Sequence, residues 1–257
     1  MNAMEQTKAK TWVAIGDSFT YIDEFLEEAG GHLQKGYLSE TADLLPFPVD
    51  VKHLGINGGS TLELLDVPLV PGDFYSILLG TNDWWGGRPI GGLEEVRKGE
   101  KGTILGNLSL LIRKIRAISP EAPIFLMNPI ERSRFVYCFD QSNTALDSSA
   151  PWRGQRLSEV ADAIMSLAKW EEGVIPVDIH KETGITPENA VNFLLYRGKK
   201  LSFPEIHALP LKFTFDPAFP YPKEAENFTF DGLHPSPKGC KAIAGVLAKA
   251  IKKTFAV

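Results

Sequence analysis

Thr11-Trp12-Val13-Ala14-Ile15-Gly16-Asp17-Ser18-Phe19-Thr20 is the stretch whose reading decides the fold. Thr11–Ile15 is a short, almost wholly apolar run, the pattern of a strand buried on both faces of a parallel sheet. It ends abruptly at a Gly-Asp turn that hands the chain to a helix. Four further runs, Val49–Leu54, Phe74–Leu79, Pro123–Met127 and Val174–Ile179, share this length and richness in Val, Ile, Leu and Phe. Longer amphipathic stretches lie between them. Thr103–Ile118 gathers Ile104, Leu108, Leu111, Ile112, Ile115 and Ile118 on one face before Pro120 stops it, and Gln155–Trp170 does the same with Leu157, Val160, Ile164 and Leu167. A last helix opens with Ser236 as N-cap and Pro237 at its first position, and closes with Lys252 and Lys253 near its negative end. Strands alternating with helices imply right-handed crossovers. The expected fold is α/β, a three-layer α/β/α sandwich around a five-stranded parallel sheet.

Composition narrows the function. The 257 residues are 44% hydrophobic and 23% charged with a net charge of −5, as in a globular protein and unlike a disordered one. A mildly acidic chain lacks the basic footprint of a nucleic-acid or anionic-membrane binder. No apolar run approaches the roughly 20 residues of a membrane-spanning helix. Cys138 and Cys240 are isolated thiols without the spacing of a zinc site, and neither a disulfide nor a cofactor can be read from them. Residues 1–10 read as a polar tail without the apolar segment of a secretory leader. A cytoplasmic location follows if that start is native, and an exported one if a leader preceded Met4. Residues 11–257 read as a single domain, of undetermined oligomeric state. It is interrupted at 181–230 by an irregular insertion with six prolines and nine aromatic residues.

In an open α/β sheet, ligands sit beyond the carboxyl ends of the strands. The strands are followed by Gly16-Asp17-Ser18-Phe19-Thr20, Gly55-Ile56-Asn57-Gly58-Gly59-Ser60 and Gly80-Thr81-Asn82-Asp83, and the last helix is preceded by Asp231-Gly232-Leu233-His234-Pro235. Together these supply the parts of acyl transfer to water. Ser18 is the candidate nucleophile, His234 the base that a weak serine hydroxyl needs, and Asp231, three residues earlier in one turn, the acceptor that orients the imidazole. Pro235 restricts His234 to extended conformations. The Asn82 carboxamide and a backbone N–H at a glycine are candidate donors to an oxyanion.

GDSFT, the Gly58 turn, GTND and DGLH, in this order from Gly16 to His234, resemble the four sequence blocks of the SGNH, or GDSL-type, hydrolase superfamily. The resemblance implies a flavodoxin-like α/β/α fold with serine esterase, lipase or acyl-hydrolase activity and no metal. It carries over Ser18, Asp231 and His234 as a triad. It assigns the oxyanion hole to the N–H of Ser18, the N–H of Gly58 and the side chain of Asn82. The second block departs from the family pattern by placing His53 where Asn is common, and its crowded Gly55, Gly58 and Gly59 leave the donating N–H open.

The expected substrate is a small-molecule ester or acylated carbohydrate, with a lipase or acyl-thioesterase as the alternative and a silent binding module as the rival of another class. Trp84 and Trp85, directly after Asn82, are candidate substrate contacts that would line an acyl pocket or stack on a sugar ring; the opposing reading puts one in the core and the other at the surface. Glu131-Arg132 falls at the same sheet edge and offers a substrate contact. His53 reads as a satisfied, partly buried histidine, and His32, His180 and His207 have no partner by spacing. Asp17 with Asp231 and His234 would make only a sparse metal site. Pro187–Tyr196 is expected to be a helix capped by Thr186, and the rest of 181–230 a stiff aromatic lid.

Overall fold

The computed structural model describes residues 8–29, 31–136, 144–145, 147–191, 193–196, 199–202 and 227–256. Its centre is a parallel sheet of β1 (Lys10–Gly16), β2 (Val49–Gly55), β3 (Phe74–Leu78), β4 (Ile124–Met127) and β7 (Val174–Val177), in the order β2-β1-β3-β4-β7. That is the flavodoxin-like winding, and it reverses direction between β1 and β3. The three central strands are buried on both faces. Edge strand β2 alternates half-buried and exposed residues instead, and the other edge, β7, carries Pro176, which has no N–H to give a further strand.

The strand period of two sorts the core into two layers. Trp12, Ala14, Phe74, Phe125 and Met127 face α2 (Tyr37–Leu44) and the last helix, α8 (Pro237–Thr254), through Tyr37, Leu38, Ile243, Leu247 and Ile251. Val13, Ile15, Tyr75, Ile77, Ile124 and Leu126 face α5 (Ile104–Ile118) and α6 (Leu157–Leu167). Two helices start where the sequence places them: Thr103 Oγ1 accepts from Gly106 N at the head of α5, and Ser236 caps α8 with Pro237 in its first turn. Shorter helices follow strands at the carboxyl edge: α1 (Ser18–Tyr21), α3 (Thr81–Gly86), then α4 (Leu93–Lys98), and α7 (Ile179–Glu182) after β7.

Three expectations change. The fifth strand stops at Val177, because Asp178 accepts the Lys181 N–H and caps α7. Gln155–Trp170 is helical only over Leu157–Leu167, since Trp152 and Gln155 form a backbone bridge ahead of it. Pro187–Tyr196 is not a helix. Asn189 Oδ1 accepts from Thr186 N and closes a turn, and β8 (Phe193–Tyr196) pairs antiparallel with β9 (Lys199–Ser202). The short β5 (Phe135–Val136) and β6 (Thr144–Ala145) form a second antiparallel pair. Most of the expected lid, residues 203–226, and both Cys138 and His207 lie outside the described residues.

Candidate active site

The turn after β1 is built by close packing. A Cβ on Gly16 would lie 2.1 Å from Thr20 Oγ1 and 2.9 Å from the Leu78 carbonyl, so the chain passes between them only as glycine. Asp17, 1% exposed, then caps α1 by accepting from Phe19 N at 3.1 Å. The cap places Ser18 at the first helical position, beside the reversal of strand order. Burial pushes the Asp17 carboxyl up to about 7, against the pull of the Phe19 N–H and the charge of His234.

The loop before α8 comes to this point from the other side. Asp231 Oδ1 accepts from Leu233 N at 2.8 Å and His234 N at 2.6 Å, and its Oδ2 lies 2.5 Å from His234 Nδ1. His234 Nε2 is 2.9 Å from Ser18 Oγ. The three residues that the sequence singles out are therefore joined in one line. Phe19 meets the His234 ring edge-on at 5.7 Å and Phe230 stacks on it at 5.8 Å, with His32 stacked on Phe230 in turn. Burial opposes the imidazolium, but the charge and hydrogen bond of Asp231, with the charge of Asp17, outweigh it and raise the His234 pKa; Arg132 works in the opposite direction.

The candidate oxyanion donors lie on two loops that meet each other. Gly59 N is committed to the Ile56 carbonyl at 2.9 Å, while Gly58 N has no partner among the described residues. Asn82 Nδ2 donates to the Gly59 carbonyl at 2.9 Å, which leaves its second N–H uncommitted. Beneath them is an anchor that sequence reading missed. Buried Asp83 accepts from Thr61 N at 2.9 Å, Thr61 Oγ1 at 2.6 Å and Arg88 Nε at 2.6 Å, tying α3 to the Gly58 loop. Desolvation nevertheless raises its pKa, the mark of a carboxylate that is costly to bury. Its signal was available, since Asp83 lies next to Asn82 in the same tetrapeptide.

The remaining expectations separate. Trp84 is wholly buried, with its indole N–H on the Gln155 carbonyl, so it packs in the core and is not the exposed pocket wall expected of it. Trp85 is half-buried and stacks flat on Trp152 at 5.1 Å. His53 is not satisfied: its Nδ1 is buried without a partner among the described residues. His180 does have partners, which sequence spacing concealed. Its Nδ1 lies 2.8 Å from the Pro129 carbonyl and its Nε2 3.0 Å from Glu131 Oε1. A carbonyl at one nitrogen and a carboxylate at the other call for two N–H groups, and the pKa is raised even though burial works against the charge. Glu131 Oε1 is thereby taken by His180, while its Oε2 is buried without a partner among the described residues, and Arg132 lies 2% exposed against the Trp84 ring. Among the described residues no group of three His, Cys, Asp or Glu side chains could hold a metal ion, and no helix is long and apolar enough to cross a membrane.

A doubly wound parallel sheet with a hydroxyl, an imidazole and a carboxylate in line at its switch point defines the class, the esterase- and lipase-type hydrolases. The chain belongs to the GDSL-like lipase/acylhydrolase family, whose sequence model matches residues 14–242. Among solved structures, a possible lipase from Chitinophaga pinensis is 36% identical, covering 96% of this chain and 99% of that one, with a TM-score of 0.82. A carbohydrate esterase family 3 protein from Talaromyces cellulolyticus shares the fold at 16% identity and a TM-score of 0.52, covering 96% of this chain and 99% of its own. No curated protein matches the chain at a significant level.

Proposed function

We propose that this chain hydrolyses carboxylic esters through a covalent acyl-enzyme on Ser18. Ser18 Oγ attacks the ester carbonyl while His234 Nε2 takes its proton, and the carbonyl oxygen becomes an oxyanion. When the tetrahedral intermediate collapses, the C–O bond breaks and His234 returns the proton to the leaving alcohol. Water, deprotonated by the same imidazole, then attacks the acyl-serine and frees the acid and Ser18. Asp231 keeps the proton of neutral His234 on Nδ1 and steadies the imidazolium without itself being protonated. The N–H groups of Ser18 and Gly58 and the free N–H of Asn82 receive the oxyanion. The observation that carries this reading is the Asp231–His234–Ser18 line, with steps of 2.5 and 2.9 Å.

The preferred substrates are short-chain or sugar-acetyl esters. The half-buried Trp85–Trp152 stack beside Asn82 is a flat aromatic wall, suited to an acetyl group or the apolar face of a sugar ring. The alternative is a lipase or acyl-thioesterase, and the 36% identical Chitinophaga pinensis protein is named a possible lipase. A panel of p-nitrophenyl esters from acetate to dodecanoate, acyl-CoA thioesters and acetylated xylose decides between them. Acetyl esters should have the highest kcat/KM. A maximum at octanoate or longer would make the protein a lipase, and no turnover of any ester would make it a binding module.

A further inference from the structure

Arg132 is a buried cation with no ion-pair partner among the described residues, supported at longer range by the charge of Asp231. It is 2% exposed, its Nε has no hydrogen-bond partner, and among the described residues no carboxylate lies within ion-pair distance of it. Its backbone is fixed: the N–H donates to Ser148 Oγ at 3.0 Å and the carbonyl accepts from Ser148 N at 3.0 Å. Its Cζ lies 5.6 Å from the centroid of the Trp84 ring. Burial pulls the guanidinium down only to about 10, with Asp231 opposing the fall, so it remains charged at neutral pH. Leaving such a charge without a close partner is costly. An aromatic face offsets only part of that. A further partner is called for.

Its position says which kind. Arg132 follows β4 at the carboxyl edge of the sheet, and the next residue, Ser133, donates its N–H to the Gly232 carbonyl at 2.9 Å, inside the loop that carries Asp231 and His234. Trp84, on its other side, is two residues from Asn82. The residue thus lies next to the loop that carries Asp231 and His234, and its charge acts on both of them.

We propose that Arg132 is an anion subsite and that the ester this protein cleaves bears a carboxylate or phosphate near the scissile bond. The planar fork of a guanidinium pairs with such a group through two parallel N–H···O bonds. The proposal rests on the ester-hydrolase reading and deepens it by naming the charge of the substrate.

The test compares matched esters. On the alcohol side these are 4-acetoxybenzoate and its methyl ester; on the acyl side, mono-4-nitrophenyl adipate and its methyl ester. For at least one pair, the anionic-to-neutral ratio of kcat/KM should fall tenfold or more from wild type to Arg132→Met, with Arg132→Lys recovering part of it. A ratio that does not change, or an equal loss on both esters of each pair, would overturn the proposal. Should the variants fail to fold, the wild type decides alone. Benzoate, or inorganic phosphate if phosphate is the preferred anion, should inhibit hydrolysis of p-nitrophenyl acetate competitively, and benzyl alcohol at equal concentration should not. Lack of inhibition by both anions would overturn it. The outcomes are separable from failure of the parent reading, in which no ester is hydrolysed in a Ser18-dependent way.

Discussion

Replacing Asn82 with alanine separates a donor to the transition state from a residue that merely binds substrate or holds the fold. Asn82 gives one carboxamide hydrogen to the Gly59 carbonyl at 2.9 Å and has one left. In the proposed mechanism only the free hydrogen meets the substrate, and its gain arises when the carbonyl oxygen takes up charge. Losing a single oxyanion donor lowers kcat by about 10²–10³, or about 2.7–4 kcal/mol of barrier. The hydrogen that is already used has a different cost. Without it the Gly59 carbonyl loses a partner, worth about 1 kcal/mol of stability. For a chain of this size that lowers the melting temperature by about 2–4 °C. The two losses appear in different assays. Steady-state hydrolysis of p-nitrophenyl acetate should show the fall in kcat with KM nearly unchanged, and thermal unfolding the small shift. Asn82→Asp, which keeps the shape but cannot donate, should lose as much rate as Asn82→Ala. A variant in which KM rises and kcat holds would show that Asn82 binds substrate, and one that melts more than 10 °C lower would show a structural role; either refutes the reasoning.

Hydrolysis should rise with pH on a single limb as His234 loses its proton, with a midpoint above the usual imidazole value because Asp231 and Asp17 favour the charged ring. Asp231→Asn removes the larger of those supports, so the limb should move to lower pH while kcat falls by about 10⁴; a limb that stays in place would mean another carboxylate orients the imidazole. Gly232 has φ +96°, and a Cβ there would meet the Arg134 carbonyl at 2.6 Å and the Val191 carbonyl at 2.9 Å. Gly232→Ala should therefore cost about 2–4 kcal/mol from backbone strain and overlap. It should also disturb Asp231 and His234 on either side of it, so a variant with wild-type melting temperature and activity would contradict this packing.

Much of this architecture was legible because buried parallel strands write themselves as uninterrupted apolar runs. Thr11–Ile15 and Phe74–Leu79 predict β1 and β3 to within one residue of where the strands begin or end. The four loops at the carboxyl edge were legible for the same reason, since each directly follows a strand or precedes a capped helix. What sequence concealed was decided across space. Trp84 and Trp85 are neighbours in the chain, yet consecutive residues of α3 point about 100° apart. One indole therefore enters the core and the other stacks on Trp152, a residue 67 positions away. Gly58 and Gly59 are adjacent in sequence, but Gly58 has φ +71° while the Gly59 N–H is taken by the Ile56 carbonyl, a local difference that composition does not show. Pro187–Tyr196 misled because Thr186 before a proline imitates a helix cap, whereas Asn189 bonds back to Thr186 and turns the chain. The aromatic pair Phe193 and Tyr196, with Gly198 close behind, was the overlooked hairpin signal. His180 and Glu131 are separated by 49 positions, and only the adjacency of β4 and β7 brings them together.

The central claim is that Ser18 carries the acyl group. Its most direct test is reaction with an active-site-directed fluorophosphonate, read by intact mass and peptide mapping on wild type and Ser18→Ala. The account predicts one adduct per chain, on the peptide that contains Gly16-Asp17-Ser18, with esterase activity lost in step, and no adduct and less than a tenth of the activity in Ser18→Ala. An adduct on any other residue, or a Ser18→Ala protein that keeps more than a tenth of wild-type activity, would contradict it.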